Sequence, residues 1–127
     1  MDMRENLVGW FEIPVTDMER AANFYNSVFD LKIEVQNFGG VLMGWFPFNE
    51  ERPGASGSLI QQESYIPSSK EGVLIYFSSE DVNNELSRVE AAHGTILQQK
   101  TQISPEVGYM ALFLDTEGNR IALHSRN

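Results

Sequence analysis

Few side chains in this sequence are equipped for chemistry. It has no cysteine and two histidines, His93 and His124, which excludes thiol catalysis, disulfides and cysteine-ligated zinc together. The carboxylate that stands out is Glu12, set in Gly9-Trp10-Phe11-Glu12-Ile13-Pro14-Val15-Thr16-Asp17. Phe11, Ile13 and Val15 alternate there with Trp10, Glu12 and Pro14, the period of a strand with two unlike faces. A carboxylate held on an apolar strand can move a proton, charge an imidazole or ligate a divalent cation. His124 leaves two readings open, proton exchange near neutral pH or a satisfied surface imidazole close to the C-terminus. His93 ends a helical stretch beside Gly94, where the helix C-terminus favours an imidazolium, so its role reads as structural.

The elements that must position these groups announce themselves by changes of period. After Thr16-Asp17 the alternation gives way to Met18, Ala21, Ala22, Tyr25, Val28 and Phe29 at helical spacing. That helix can pack on the Phe11/Ile13/Val15 side, which leaves Glu12 on the uncovered face. Leu31 to Val35 and Val41 to Phe46 then read as a hairpin closed by Asn37-Phe38-Gly39-Gly40. Asn49 to Gly54 reads as an exposed loop, and Ser56 to Gln62 as a short strand whose small residues admit a close backbone or ligand. Ser64 to Gly72 groups proline, serines and glycine in a linker.

The second half of the chain repeats the order of the first. Val73 to Phe77 is a strand, Val82, Leu86, Val89 and Ala92 give a helix its apolar face, and Gly94 stands where a C-terminal cap belongs. Thr95-Ile96-Leu97, Gly108 to Leu114 and Arg120 to His124 are three more strands, the last two separated by the turn Asp115-Thr116-Glu117-Gly118-Asn119. Each half thus reads β-α-β-β-β, with an aspartate, Asp17 or Asp81, at the strand-to-helix junction where its carboxylate can accept from free helix N–H groups. A ferredoxin-like barrel would need the order β-α-β-β-α-β, against which the extra strands before the second helix count.

Bulk properties narrow the partners. The formal charge of -9, with nine Lys and Arg scattered along 127 residues, argues against nucleic acid, which needs a basic stripe. No apolar run approaches the roughly 20 residues of a membrane span. The polar start Met1-Asp2-Met3-Arg4-Glu5-Asn6 is unlike a signal peptide, so a cytoplasmic address is expected.

Three stretches carry a resemblance to a known family. They are Phe11 to Asp17 with Ala22-Asn23-Phe24-Tyr25, the junction Tyr76 to Val82, and Gly108 to Ile121 with its Asp115-Thr116-Glu117-Gly118-Asn119 turn. Together they resemble the vicinal oxygen chelate superfamily of glyoxalase, bleomycin-resistance and extradiol dioxygenase proteins. The resemblance implies an α+β fold in which two βαβββ modules form an open, curled, mixed β-sheet barrel with two helices outside. One glyoxalase-like domain is expected over 1–127, with modules at about 6–63 and 72–125 joined by linker 64–71. A homodimer is also expected, since dimers are common in this family.

The same resemblance places the family's metal-ligand positions on Trp10, Leu74 and Ala122, none of which suits a cation. One side-chain repeat further along each strand stand Glu12, Tyr76 and His124, which therefore share the inward faces. These three are the candidate catalytic residues, and Glu12 with His124 would be the ligands of any displaced zinc, nickel or manganese. Trp10, Trp45, Leu74 and Gln61 are candidates for contact with a small organic ligand, the two tryptophans and Tyr76 lining an aromatic cavity. The leading expectation is a small-molecule binding protein without cofactor, sequestering or sensing a toxic compound. Two enzyme readings stand beside it: a metal-dependent lyase, isomerase or dioxygenase with a shifted site, and a metal-free acid-base enzyme using Glu12 and His124.

Overall fold

The computed structural model describes residues 6–127. The signal-peptide reading of the first residues therefore lies outside the described residues, save for Asn6. The elements run β1 (Trp10–Pro14), α1 (Met18–Phe29), β2 (Glu34–Phe38), β3 (Val41–Trp45), β4 (Ser56–Gln61), β5 (Ile75–Ser78), α2 (Val82–Val89), β6 (Thr95–Ser104), β7 (Gly108–Leu114) and β8 (Arg120–Ser125). They form two four-stranded mixed sheets with orders β1-β4-β3-β2 and β5-β8-β7-β6. The first strand of each half runs parallel to the last of that half, and the other pairs are antiparallel. The sheets do not close into a barrel: β1 and β5 are end strands of separate sheets.

Alternation divides each sheet into a face under a helix and a face left open. Ile13, Val15 and Leu59 are buried with Met18, Ala21, Ala22, Phe24, Tyr25 and Val28 of α1. Val82, Leu86 and Val89 of α2 join Ala111, Phe113, Ile121 and Leu123 in the same cluster, so both halves share one core. Asp17 caps α1 by accepting from the Arg20 N–H at 3.1 Å, and Asp81 caps α2 by accepting from the Asn83 N–H at 2.9 Å, as the junctions suggest.

Several local expectations need correction. β2 is Glu34–Phe38, later than the Leu31 to Val35 read from alternation, so Asn37 and Phe38 belong to the strand, and β6 runs Thr95–Ser104, well past Leu97. β5 starts at Ile75, and Val73, expected on its buried face, is 92% exposed because it precedes the strand. The left-handed residue after α2 is His93, with φ of 77°, and not Gly94. Gly94 is required for a different reason: a Cβ there would lie 2.6 Å from Phe24 and 2.7 Å from the Leu114 carbonyl.

Two interactions tie the halves together. Phe77 of β5 sits among first-half rings, with centroids 5.6 Å from Phe11, 4.9 Å from Phe29 and 5.7 Å from Phe46. Each such pair adds roughly 0.5–1.5 kcal/mol beyond its buried area. The second is the turn Asp115–Asn119. Buried Asp115 accepts from the Tyr25 hydroxyl at 2.7 Å and from the N–H groups of Glu117 and Asn119 at 2.8 and 2.9 Å. The Asn119 side-chain amide donates to the Pro14 carbonyl at 2.7 Å, and its oxygen accepts from the Ser68 N–H at 3.2 Å. Glu117 reaches the start of α1, accepting from the Thr16 and Asp17 N–H groups and from the Arg20 guanidinium.

The two carboxylates respond oppositely to this setting. Burial pushes Asp115 above its ordinary value, outweighing the hydrogen bonds from Tyr25 and Asn119. Burial also opposes ionisation of Glu117, but there the bonds from Arg20, Thr16, Thr116 and Asp17 win and bring its pKa from 4.5 down to about 2. Because the folded value lies below the unfolded one, the Glu117 contribution is present above pH 4.5 and fades as pH falls toward about 2. We predict that Glu117→Ala loses about 2–3 kcal/mol at neutral pH. Urea unfolding followed from pH 7 to pH 2 should show the deficit of the variant shrinking in that acid window.

Candidate active site or ligand cleft

The end strands β1 and β5 line one cleft of about 1020 Å³. Its lining includes Trp10, Phe11 and Glu12 from β1, and Ile75, Tyr76, Phe77 and Ser78 from β5 with the adjoining Leu74. Phe29, Phe46 and Phe48 add three more rings, and the loop before β4 contributes Asn49 and Arg52, with Ser56 at the start of β4 itself. The floor is the Phe11–Phe77 edge-to-face pair. Gly57 makes this floor possible, since a Cβ there would lie 2.2 Å from the Phe11 carbonyl and 2.6 Å from its ring. A smaller hollow of about 280 Å³ lies further along β1, where Glu12 and Pro14 meet Val73, Asn119 and Arg120. Glu12 borders both spaces.

The candidate residues separate into those that meet here and those that do not. Trp10, Glu12, Leu74 and Tyr76 line the cleft. Trp45 stands next to it on the open face of the first sheet, its ring centroid 5.7 Å from that of Trp10. His124 is not among the lining residues. It lies on β8 between Ser78 of β5 and Met110 of β7, and its Nε2 is 2.6 Å from the Val107 carbonyl. That carbonyl belongs to the β6–β7 connection, so the ring is engaged one strand away from the β1/β5 gap. Gln61 also turns elsewhere: two residues after buried Leu59, it points under α1, where its Oε1 accepts from the Met18 N–H at 2.8 Å. A free N–H in the first helical turn needs such an acceptor, which accounts for a glutamine at this position. Among the described residues no three His, Asp or Glu side chains gather as a metal-holding group.

Other contributors were less visible. Asn49 to Gly54, read as a plain loop, is exposed yet forms one wall of the cleft. Ser58 is fully buried and its hydroxyl finds no hydrogen-bond partner. The sequence signal for it was the run Ser56-Gly57-Ser58, small residues in a strand.

Comparison with known proteins assigns the class. Residues 7–123 match the model of the Glyoxalase/Bleomycin resistance protein/Dioxygenase superfamily, and the chain belongs to that family. It is 28% identical over 124 residues to a glyoxylase-like domain-containing protein of Didymella fabae, covering 94% of this chain and 93% of that one. The fold is shared with a mutant of glyoxalase I from Zea mays, with TM-score 0.73 and 18% identity over 93% of this chain. The chain spans about half, 46%, of that maize protein. It is also similar to TnmS3, an antibiotic binding protein from Streptomyces sp. CB03234, with TM-score 0.67 and 22% identity, covering 99% of this chain and 100% of that one.

The separation of roles is open to mutagenesis. Glu12 is exposed on the open face, so Glu12→Gln should leave stability within about 0.5 kcal/mol of the wild type. Gln61→Ala, which strips the α1 N-terminus of an acceptor, should cost about 1 kcal/mol. Thermal unfolding of the two variants checks both values.

Proposed function

We propose that this protein binds a flat, largely apolar small molecule in the cleft between β1 and β5, and that binding requires no metal ion. The observation that carries the reading is the lining: a space of about 1020 Å³ floored by phenylalanines and edged by Trp10 and Tyr76. Apolar clefts of this size with a few polar groups suit small organic ligands. The antibiotic binding by TnmS3 supports the same reading, as does the family's inclusion of bleomycin resistance proteins.

The donor set does not fit a metal. Trp10, Leu74 and Ala122, the positions that the family resemblance assigns to ligands, carry an indole and two aliphatic side chains. The displaced alternative needs Glu12 and His124 together, and His124 faces the Val107 carbonyl. Glu12 instead orients a polar edge of the ligand, while the aromatic floor excludes water from its apolar part. The corresponding role is sequestration or sensing of a toxic compound, with a cytoplasmic address.

The homodimer is part of the same proposal. Val35, Leu97, Ile103 and Val107, outside the cleft, are each 45 to 48% exposed, an apolar load that a second copy can cover. Light scattering of the purified protein should give twice the mass of the chain; a monomer mass at micromolar concentration would argue against it.

The ligand reading is tested with tag-free protein dialysed against EDTA and titrated with coumarin, following emission of Trp10 and Trp45, the only two tryptophans. Saturable quenching that is weakened about tenfold or more in Trp10→Ala is expected. Stoichiometric zinc, nickel or manganese in the purified protein, lost in Glu12→Gln, would instead favour a metal-dependent lyase, isomerase or dioxygenase.

A further inference from the structure

The hydroxyl of Ser58 is an anomaly in an otherwise well-bonded interior. Ser58 is 0% exposed, and its Oγ has no hydrogen-bond partner. Leaving a buried hydroxyl unpaired costs the folded state the bond to water that it gave up. By contrast, the Oγ of Ser56, two residues earlier on the same face of β4, lies within donating reach of the Phe46 and Pro47 carbonyls, each at 3.3 Å.

The sheet register shows what lies over Ser58. β4 runs between β1 and β3; Ser58 stands opposite Glu12 on one side and Trp45 on the other, and Ser56 stands opposite Trp10. Strands that flank a third are about 9.5 Å apart. The rings of Trp10 and Trp45 nevertheless have centroids only 5.7 Å apart, at an interplanar angle of 73°. Both indoles therefore lean inward across β4 and close over its serines. Only small side chains on β4 leave room for this. Phe38 stacks on the outer side of Trp45, with centroids 6.0 Å apart, and supports it.

We propose that the Trp10–Trp45 pair is a parting cover over a hydrogen-bonding subsite, and that a flat ligand bearing a carbonyl-type acceptor enters between the indoles and accepts a hydrogen bond from the Ser58 hydroxyl. The inference rests on the ligand-cleft reading and adds to it a ligand class and a specificity-determining residue. Trp10 is shared by cleft and cover, so a ligand held at the open-face side of the cleft, beside Trp10 and Glu12, can extend a ring between the two indoles. Stacking on both indoles replaces their contact with each other, and the new hydrogen bond satisfies a group that the free protein leaves unmet. Glu12, opposite Ser58 and exposed, makes the rim of this subsite polar.

The test compares wild-type protein and Ser58→Ala against two flat bicyclic probes, coumarin, which carries a carbonyl, and naphthalene, which does not. Tryptophan emission reads binding, and thermal unfolding without probe reads the cost of the buried hydroxyl. Ser58→Ala should weaken coumarin about 5- to 10-fold while leaving naphthalene within about twofold. The variant should also melt about 3–5 °C higher than the wild type. A variant that melts lower, or that keeps its coumarin affinity, overturns the subsite and leaves the cleft reading standing. If neither probe binds the wild type saturably, both fall.

Discussion

The turn between β7 and β8 holds the structure together at the point where its halves meet. Asp115 fixes Tyr25 from beneath α1, Asn119 fixes the Pro14 carbonyl at the end of β1, and Glu117 fixes the first N–H groups of α1. Through these bonds one five-residue turn of the second half sets where the first strand and helix of the other half sit. β1 and β5 do not pair with each other, so their separation is not dictated by a ladder of backbone bonds. It is dictated by this polar clasp at one end and by the packing of Phe77 among Phe11, Phe29 and Phe46 in the interior. The cleft is the space that these two constraints leave open.

The composition of β4 then shapes both faces of the first sheet beside the cleft. Gly57 lets Phe11 lie across one face of the strand, and on the other face Ser56 and Ser58 let two indoles converge. Larger residues on β4 would fill the open face and separate the tryptophans. The phenylalanines Phe11, Phe29, Phe46 and Phe77 thus form a cluster on the helix-side core, while the indoles of Trp10 and Trp45 lie on the face that the helices do not cover. Its two strongly held carboxylates, Asp115 and Glu117, belong to the clasp and not to the cleft, so their perturbed ionisation serves the fold. A perturbed carboxylate is often taken as a sign of catalysis, and here the hydrogen-bond partners argue for architecture.

Much of this was legible from residue patterns. The switch from period two to helical spacing at Thr16-Asp17 and again before Val82 marks both junctions, and the order β-α-β-β-β appears in each half. The uncovered position of Glu12 is a consequence of simple alternation, and Tyr76 and Leu74 reach the same cleft. Long-range pairing was not legible in this way. Nothing local tells that Gln61 caps a helix 43 positions earlier, or that the carbonyl of Val107 takes the His124 ring. His124 shares an inward strand face, but facing inward does not bring it to the gap, because β8 is the second strand of its sheet and the gap is bounded by the first. The conformational role of His93 and the packing role of Gly94 were also hidden, since both depend on how tightly α2 closes on Phe24 and Leu114.

The proposed function turns on where a ligand sits and whether it needs a cation. Amide NMR spectra of the protein in EDTA, recorded as coumarin is added, test this most directly. Shifts concentrated on Trp10, Glu12, Leu74 and Tyr76 and on the two indole N–H groups are the predicted result. Shifts centred on His124, or shifts that arise only after a divalent metal is restored, would contradict it.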